Sequence, residues 1–194
     1  MNHLLKATAI AVGMVAVPTA ASAESQWRVF GGLSDVGDFD YAYGPYTADL
    51  TTDTGFVVGA AYGAVHGNWV LEGELSFRGA DFDTIEVLSY SFEVDGDVSA
   101  LSLMANAWYH FPTNGNWGFY AGGGVGFASA EADLGGTSDD STEFAWQLGG
   151  GVNYRTEQGF AYGLGYRYFN ISEVGDTAIE VNAHEFIFEI SSRF

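Results

Sequence analysis

No cysteine occurs in the 194 residues, so neither a disulfide nor a thiolate metal site can form. Proline occurs three times, too rarely for a linker or a polyproline segment. Positive charge is scarce: Lys and Arg total 6 against 25 Asp and Glu, for a formal net charge of −19. A chain this acidic repels nucleic acid and anionic surfaces, and no nucleic-acid partner is expected. Long hydrophobic runs are missing too. The apolar run Ala7–Val17 falls short of the roughly 20 residues that a membrane-spanning helix needs.

What is present begins with an export leader. Met1-Asn-His-Leu-Leu-Lys6 is a short positive start, Ala7–Val17 and Pro18 follow, and Ala21-Ser22-Ala23 fits the small-x-small cleavage rule. The expected organisation is a signal peptide over 1–23, cleaved after Ala23, and one domain over 24–194. Lys6 leaves with the leader, so the mature balance moves one unit further, to −20, and no lysine remains.

The mature chain alternates apolar and small or polar residues with a period of two, which is the pleat of a half-buried strand. Phe144, Trp146, Leu148, Gly150, Val152 and Tyr154 oppose Ala145, Gln147, Gly149, Gly151, Asn153 and Arg155. The last segment sets His184, Phe186, Phe188, Ile190, Ser192 and Phe194 against Glu185, Ile187, Glu189, Ser191 and Arg193. Similar segments start at Trp27, Phe56, Trp69, Ala100, Phe119 and Phe160, which makes eight strands. Connections alternate: 35–54, 79–97, 129–142 and 170–181 are long, whereas 64–68, 112–116 and 156–159 are short. Short periplasmic turns, longer extracellular loops and an even strand count describe an outer-membrane barrel. Thr84–Val94 is rich in β-formers and is expected to extend the sheet above the membrane.

A soluble barrel would also alternate, but its surface would be about 25–35% charged. Here the less oily faces are mostly Gly, Ala and Ser, which suit the narrow interior of an eight-stranded barrel. Trp27, Trp69, Tyr109, Phe111, Phe160 and Tyr168 end the oily faces, where aromatic girdles meet the two membrane interfaces. The expected fold is all-β: an eight-stranded antiparallel transmembrane barrel, acting as a monomer.

Several stretches resemble the small outer-membrane β-barrel family of Gram-negative bacteria, which includes the OmpA-type transmembrane domain. They are Asp97–Phe111, Phe119–Gly126, Phe144–Arg155, Gly165–Phe169 and the Phe194 terminus, and the resemblance spans nearly all of the mature chain. It implies residence among outer-membrane lipid and lipopolysaccharide. It also implies insertion by the barrel-assembly machinery, which reads a terminal signal formed here by Phe186, Phe188, Ile190 and Phe194. The sequence stops at Phe194, so an anchoring role through a periplasmic peptidoglycan-binding domain is not expected.

Chemistry concentrates in two places. All five arginines of the mature chain, Arg28, Arg78, Arg155, Arg167 and Arg193, have inward parity, as do Glu72, Glu74, Glu185 and Glu189. Charges in a narrow, low-dielectric interior must pair. A lumen-plugging ion-pair network is the structural reading, and a selective pore is the functional alternative. Arg167 and Glu185 are expected to pair, with Arg28, Arg155 and Arg193 balancing the deeper glutamates from the periplasmic side.

The loops hold most other acids: Asp35, Asp38 and Asp40; Asp81, Asp83 and Glu86; Glu93, Asp95 and Asp97; Asp139 and Asp140. They could offer oxygens to divalent cations, but their spacing does not match an EF-hand loop, and solvated acidic loops are the simpler account. No cofactor is expected. Some small barrels modify lipid A, and acyl hydrolysis would need a serine beside a histidine base. His66 and His110 lie at the periplasmic end, and the outward neighbour of His184 is Phe186, so no catalytic residues are assigned. The expected role is envelope integrity or adhesion-like surface interaction through acidic loops. A low-conductance pore or carrier stands second, and a lipid A-modifying enzyme third.

Overall fold

The computed structural model describes residues 24–36, 39–43, 46–52, 54–87, 90–134, 137–174 and 179–194. The expected signal segment, 1–23, lies outside the described residues. So do the side chains of the acidic loop residues other than Asp35. Ten strands form: β1 (Glu24–Val36), β2 (Phe39–Tyr43), β3 (Tyr46–Thr52), β4 (Gly55–His66), β5 (Trp69–Val87), β6 (Tyr90–Phe111), β7 (Trp117–Leu134), β8 (Thr137–Arg155), β9 (Phe160–Val174) and β10 (Ile179–Arg193). Eight of them, β1 and β4–β10, pair antiparallel with their neighbours and close through β5 and β6 into a barrel. The remaining pair, β2 and β3, is a hairpin inside the first long connection that docks on the outer end of β5.

The alternation of the sequence becomes the two walls of the barrel. On β9 and β10, Leu164 and Phe186 are each 63% exposed, whereas Arg167 is 1% and Glu185 0% exposed. A water-soluble fold would reverse those values, so the oily wall faces lipid and the charged wall faces inward. Among the described residues no helix is long and apolar enough to cross a membrane; the crossing is by strands.

The long connections differ most from expectation, being largely strand. Thr84 pairs with Glu93 and Val87 with Tyr90, so Thr84–Val94 does continue the sheet. β7 and β8 likewise run on to Leu134 and Thr137. Since about 9–11 tilted residues cross a bilayer, the 22 residues of β6 carry the sheet well beyond it.

The periplasmic turns are tight, and each contains a glycine with positive φ: Gly67 at 60°, Gly115 at 127° and Gly159 at 88°. L side chains rarely adopt that region. Two of these turns build the same corner from the tripeptide Gly-Asn-Trp. The Asn68 carbonyl accepts from the His110 amide at 2.8 Å, and the Asn116 carbonyl accepts from the Arg155 amide at 2.8 Å. Each asparagine side chain donates to a tyrosine hydroxyl, Asn68 to Tyr109 and Asn116 to Tyr154, both at 3.2 Å. The following tryptophan meets the same tyrosine edge-on, with centroids 5.1 Å apart for Trp69–Tyr109 and 5.2 Å for Trp117–Tyr154. At the seam, Ser25 and Phe194 exchange both backbone hydrogen bonds at 2.9 Å, so pairing runs to the last residue.

Candidate functional site: the barrel lumen

Inward positions of β1, β5, β9 and β10 bring long charged side chains to one level, and inward glycines on the facing wall make room for bulk. A Cβ on Gly163 would stand 2.7 Å from Glu189 Oε1, and one on Gly151 or Gly165 would stand 2.7 Å from the Tyr120 hydroxyl. Small residues on one wall therefore seat large ones from the other.

Three arginines and four glutamates interlock in this space, all of them buried. In the part nearer the periplasm, Arg28 serves three carboxylates: Glu72, Glu74 at 2.9 Å and Glu189 at 3.1 Å. Trp108 Nε1 donates to Glu72 at 2.7 Å and Asn106 Nδ2 donates to Glu74 at 3.0 Å. Gln147 Nε2 in turn holds Asn106 Oδ1 at 2.7 Å. Further out, Glu185 is shared: Arg78 Nε reaches one oxygen at 2.6 Å and Arg167 Nε the other at 2.7 Å. Arg167 Nη1 also contacts Glu74 at 2.8 Å, joining the two halves. Arg78 Nη1 donates to the hydroxyls of Ser76 at 3.1 Å and Ser102 at 2.8 Å.

Aromatic faces complete the packing around the cations. The Arg78 guanidinium lies 3.5 Å from the centre of the Phe169 ring, and that of Arg167 lies 4.6 Å from Phe30. Above the charges, Ala100, Met104, Ala128, Ala145, Phe169 and Ile171 form an apolar cluster. Charged groups removed from water need such partners, because an orphaned member costs several kcal/mol. The chemistry this lumen supports is mutual charge neutralisation.

Of the nine residues expected in the network, Arg28, Arg78, Arg167, Glu72, Glu74, Glu185 and Glu189 meet. Arg155 and Arg193 do not, and Arg28 alone sits among the deeper glutamates. Arg155 is exposed at the end of β8, and Arg193 Nε donates to Gln26 Oε1 at 3.0 Å. Both stand at the rim, where water solvates a guanidinium and no carboxylate is required. Reasoning from charge alone passed over Asn106, Trp108, Gln147, Ser76, Ser102 and Phe169. Their inward parity was the available signal.

Outside the charge cluster, His66 is exposed beside its turn, and His110 stacks on Tyr120 with centroids 5.5 Å apart. His184 lies on the lipid-facing wall, its Nδ1 2.6 Å from the Tyr166 hydroxyl and its ring beside Tyr168. Phe186, Phe188 and Phe194 are exposed on that wall, and Ile190 is half-buried. Phe194 lies 6.4 Å from Tyr62 across the seam. Among the described residues, no group of three or more His, Cys, Asp or Glu is placed to hold a metal ion.

The fold is similar to Neisserial surface protein A, with a TM-score of 0.62 and 18% identity over 88% of this chain and 97% of that one. It is also similar to Ail, the attachment invasion locus protein of Yersinia pestis, in complex with the heparin analogue sucrose octasulfate. That likeness has a TM-score of 0.51 and 19% identity, over 89% and 99% of the two chains. A third likeness is to outer membrane protein AlkL in DMPC bilayers, at 0.50 and 19%, over 88% and 90%. Curated protein sequences give no match. The sequence itself matches the outer membrane protein β-barrel domain over residues 7–194, nearly its whole length. With the strand order, the lipid-facing wall and the family match in agreement, the chain belongs to the outer membrane protein β-barrel domain family, and its place is the outer membrane.

Proposed function

We propose that this protein is a non-conducting, non-enzymatic barrel that serves envelope integrity or surface interaction through its extracellular connections. The observation that carries the reading is the lumen. Arg28, Arg78 and Arg167 span it to Glu72, Glu74, Glu185 and Glu189, with an apolar layer above them. A passage for solutes would require those pairs to part inside a low-dielectric space, at a cost of several kcal/mol each. Function is then left to the surface, as is usual where a rigid scaffold carries long connections.

The four long connections contain no lysine, arginine or histidine. Their partner is therefore a cationic surface or one bridged by divalent cations, and a sulfated ligand like that bound to Ail is disfavoured. The resemblance to Ail in fold supports a role at the cell surface and does not extend to its ligand.

Planar-bilayer recording on the refolded mature chain tests the first half of the reading. The expected result is no discrete conductance step, and regular single-channel openings would instead favour a pore. Deleting the outer connections one at a time, scored for adhesion and for permeability, tests the second half. Adhesion is expected to fall with permeability unchanged. Mass spectra of lipid A from cells with and without the protein should be identical, and a changed acylation pattern would reveal an enzyme.

A further inference from the structure

On the lipid-facing wall, the outer rim is chemically uneven. Leu33, Phe56, Phe77, Leu101, Phe127 and Phe144 end the oily faces of β1 and β4–β8, and none has a polar tip. One sector differs: Trp146 on β8, Tyr166 and Tyr168 on β9, and His184 on β10 bring an indole N–H, two hydroxyls and an imidazole together. The Tyr166 hydroxyl lies 2.6 Å from His184 Nδ1. Tyr168 is 5.2 Å from the His184 ring and 5.4 Å from Trp146, centroid to centroid.

Depth and charge say what this sector meets. The strand from Phe194 back to His184 runs about ten residues at roughly 3.3 Å each, and a tilt of about 40° turns that into a climb of about 25 Å, the height of the apolar band. His184 is therefore at the outer interface. It is also the one basic side chain that the mature chain turns toward the outer leaflet, because every arginine has inward parity and the long connections contain none. Below it, Leu148, Leu164 and Phe186 are 57%, 63% and 63% exposed and offer a wall for acyl chains.

We propose that this sector of β8, β9 and β10 is a seat for one lipopolysaccharide molecule, which it recognises by the phosphorylated sugar of the lipid A headgroup. With Tyr166 donating to Nδ1, the imidazole carries its proton on Nε2 and donates it to a phosphate oxygen. The Tyr168 hydroxyl and Trp146 N–H donate beside it, and the indole face takes the sugar. Elsewhere the outer surface offers phosphate only carboxylates or hydrocarbon, so direct recognition is confined to this point. The inference is independent of the role proposed for the loops.

The test is native mass spectrometry of the full mature chain, extracted from outer membranes in a mild detergent and counted for retained lipopolysaccharide. His184→Leu is expected to lower retention about tenfold and Tyr166→Phe about threefold, as loss of one strong and one weaker hydrogen bond predicts. Phe127→Leu, on the opposite wall, should leave retention unchanged. Heat-modifiable migration in SDS checks folding of each variant, and Tyr166→Phe keeps the test alive if His184→Leu does not fold. In reconstitution, dephosphorylated lipid A and phosphatidylglycerol should both be held poorly. Equal retention by folded His184→Leu or Tyr166→Phe and the parent would overturn the proposal. Equal retention of dephosphorylated lipid A would show that the apolar wall alone holds the lipid. Equal retention of phosphatidylglycerol would show that any anionic lipid suffices.

Discussion

Glu185→Gln preserves the shape of the side chain and removes the charge that two buried arginines share. Arg167 keeps Glu74 at 2.8 Å, but Arg78 is left with the Ser76 and Ser102 hydroxyls and the Phe169 face. Removing one partner of a buried pair costs about 3–5 kcal/mol. Glu185→Gln weakens the neutralisation of two guanidiniums at once, so about 5 kcal/mol is expected. Arg167→Met is milder, because Glu185 retains Arg78 and Glu74 retains Arg28, and about 3 kcal/mol is expected. In the double variant the charge lost from Arg167 no longer needs Glu185, and the total should stay near 5 kcal/mol instead of rising to about 8, a coupling of about 3 kcal/mol. Both partners are almost fully buried, so no solvent screening reduces these figures. Urea unfolding in lipid vesicles, with slopes checked for equality across the four proteins, measures the cycle. A coupling indistinguishable from zero would mean that the two side chains are hydrated separately and that the lumen is not plugged as described.

Three further outcomes are expected. The refolded chain should resist SDS until boiled and then shift its gel mobility, with a β-dominated far-UV spectrum, because every spanning strand is paired on both sides; a helical spectrum would sink the barrel. Deleting Phe194 or replacing it with Asp should lower surface display far more than the urea midpoint. The fold loses only two backbone bonds to Ser25 and a ring contact with Tyr62, at an interface where substitutions cost about 0–1 kcal/mol. Gly163→Ala should destabilise by about 1–3 kcal/mol, since the new methyl would stand 2.7 Å from Glu189 Oε1 and displace it from Arg28; an unchanged urea midpoint would show that Glu189 is free to move.

The walls of the barrel were legible in the sequence because the pleat admits only two sides. Parity alone assigned Arg167 and Glu185 inward and Phe186 outward, and the direct pairing of Arg167 with Glu185 in the sheet follows from strand order. Parity carries no information about depth. Arg155 and Arg193 share a side with Arg28, yet they stand at the rim, and only the stagger of the strands separates the two cases. Nor does it tell which carboxylate a long side chain will reach: Arg78 is on β5 and its partner Glu185 is on β10. The extensions to Val87 and Leu134 escaped notice for a different reason. Above the membrane both faces of a sheet are wet, the alternation of oily and small residues loses its cause, and Asp and Ser become as acceptable as Val. The sector at His184 was half visible: its outward parity was plain, but the approach of Tyr166 needed coordinates.

The Gly-Asn-Trp corner described at the periplasmic turns has a meaning for how such a molecule could be lengthened. It ties the β4–β5 turn to the foot of β6, and its copy ties the β6–β7 turn to the foot of β8. Each copy belongs to one hairpin and grips the next, as an interlocking tile grips its neighbour. The β8–β9 turn lacks it and closes on itself, Thr156 bonding to the carbonyl of Phe160 at 2.7 Å. The barrel thus contains its own ruler: two strands and one corner are the increment. A hairpin inserted with a third corner would widen the cylinder by that increment, and every existing tile would keep its grip except at the single joint that was opened.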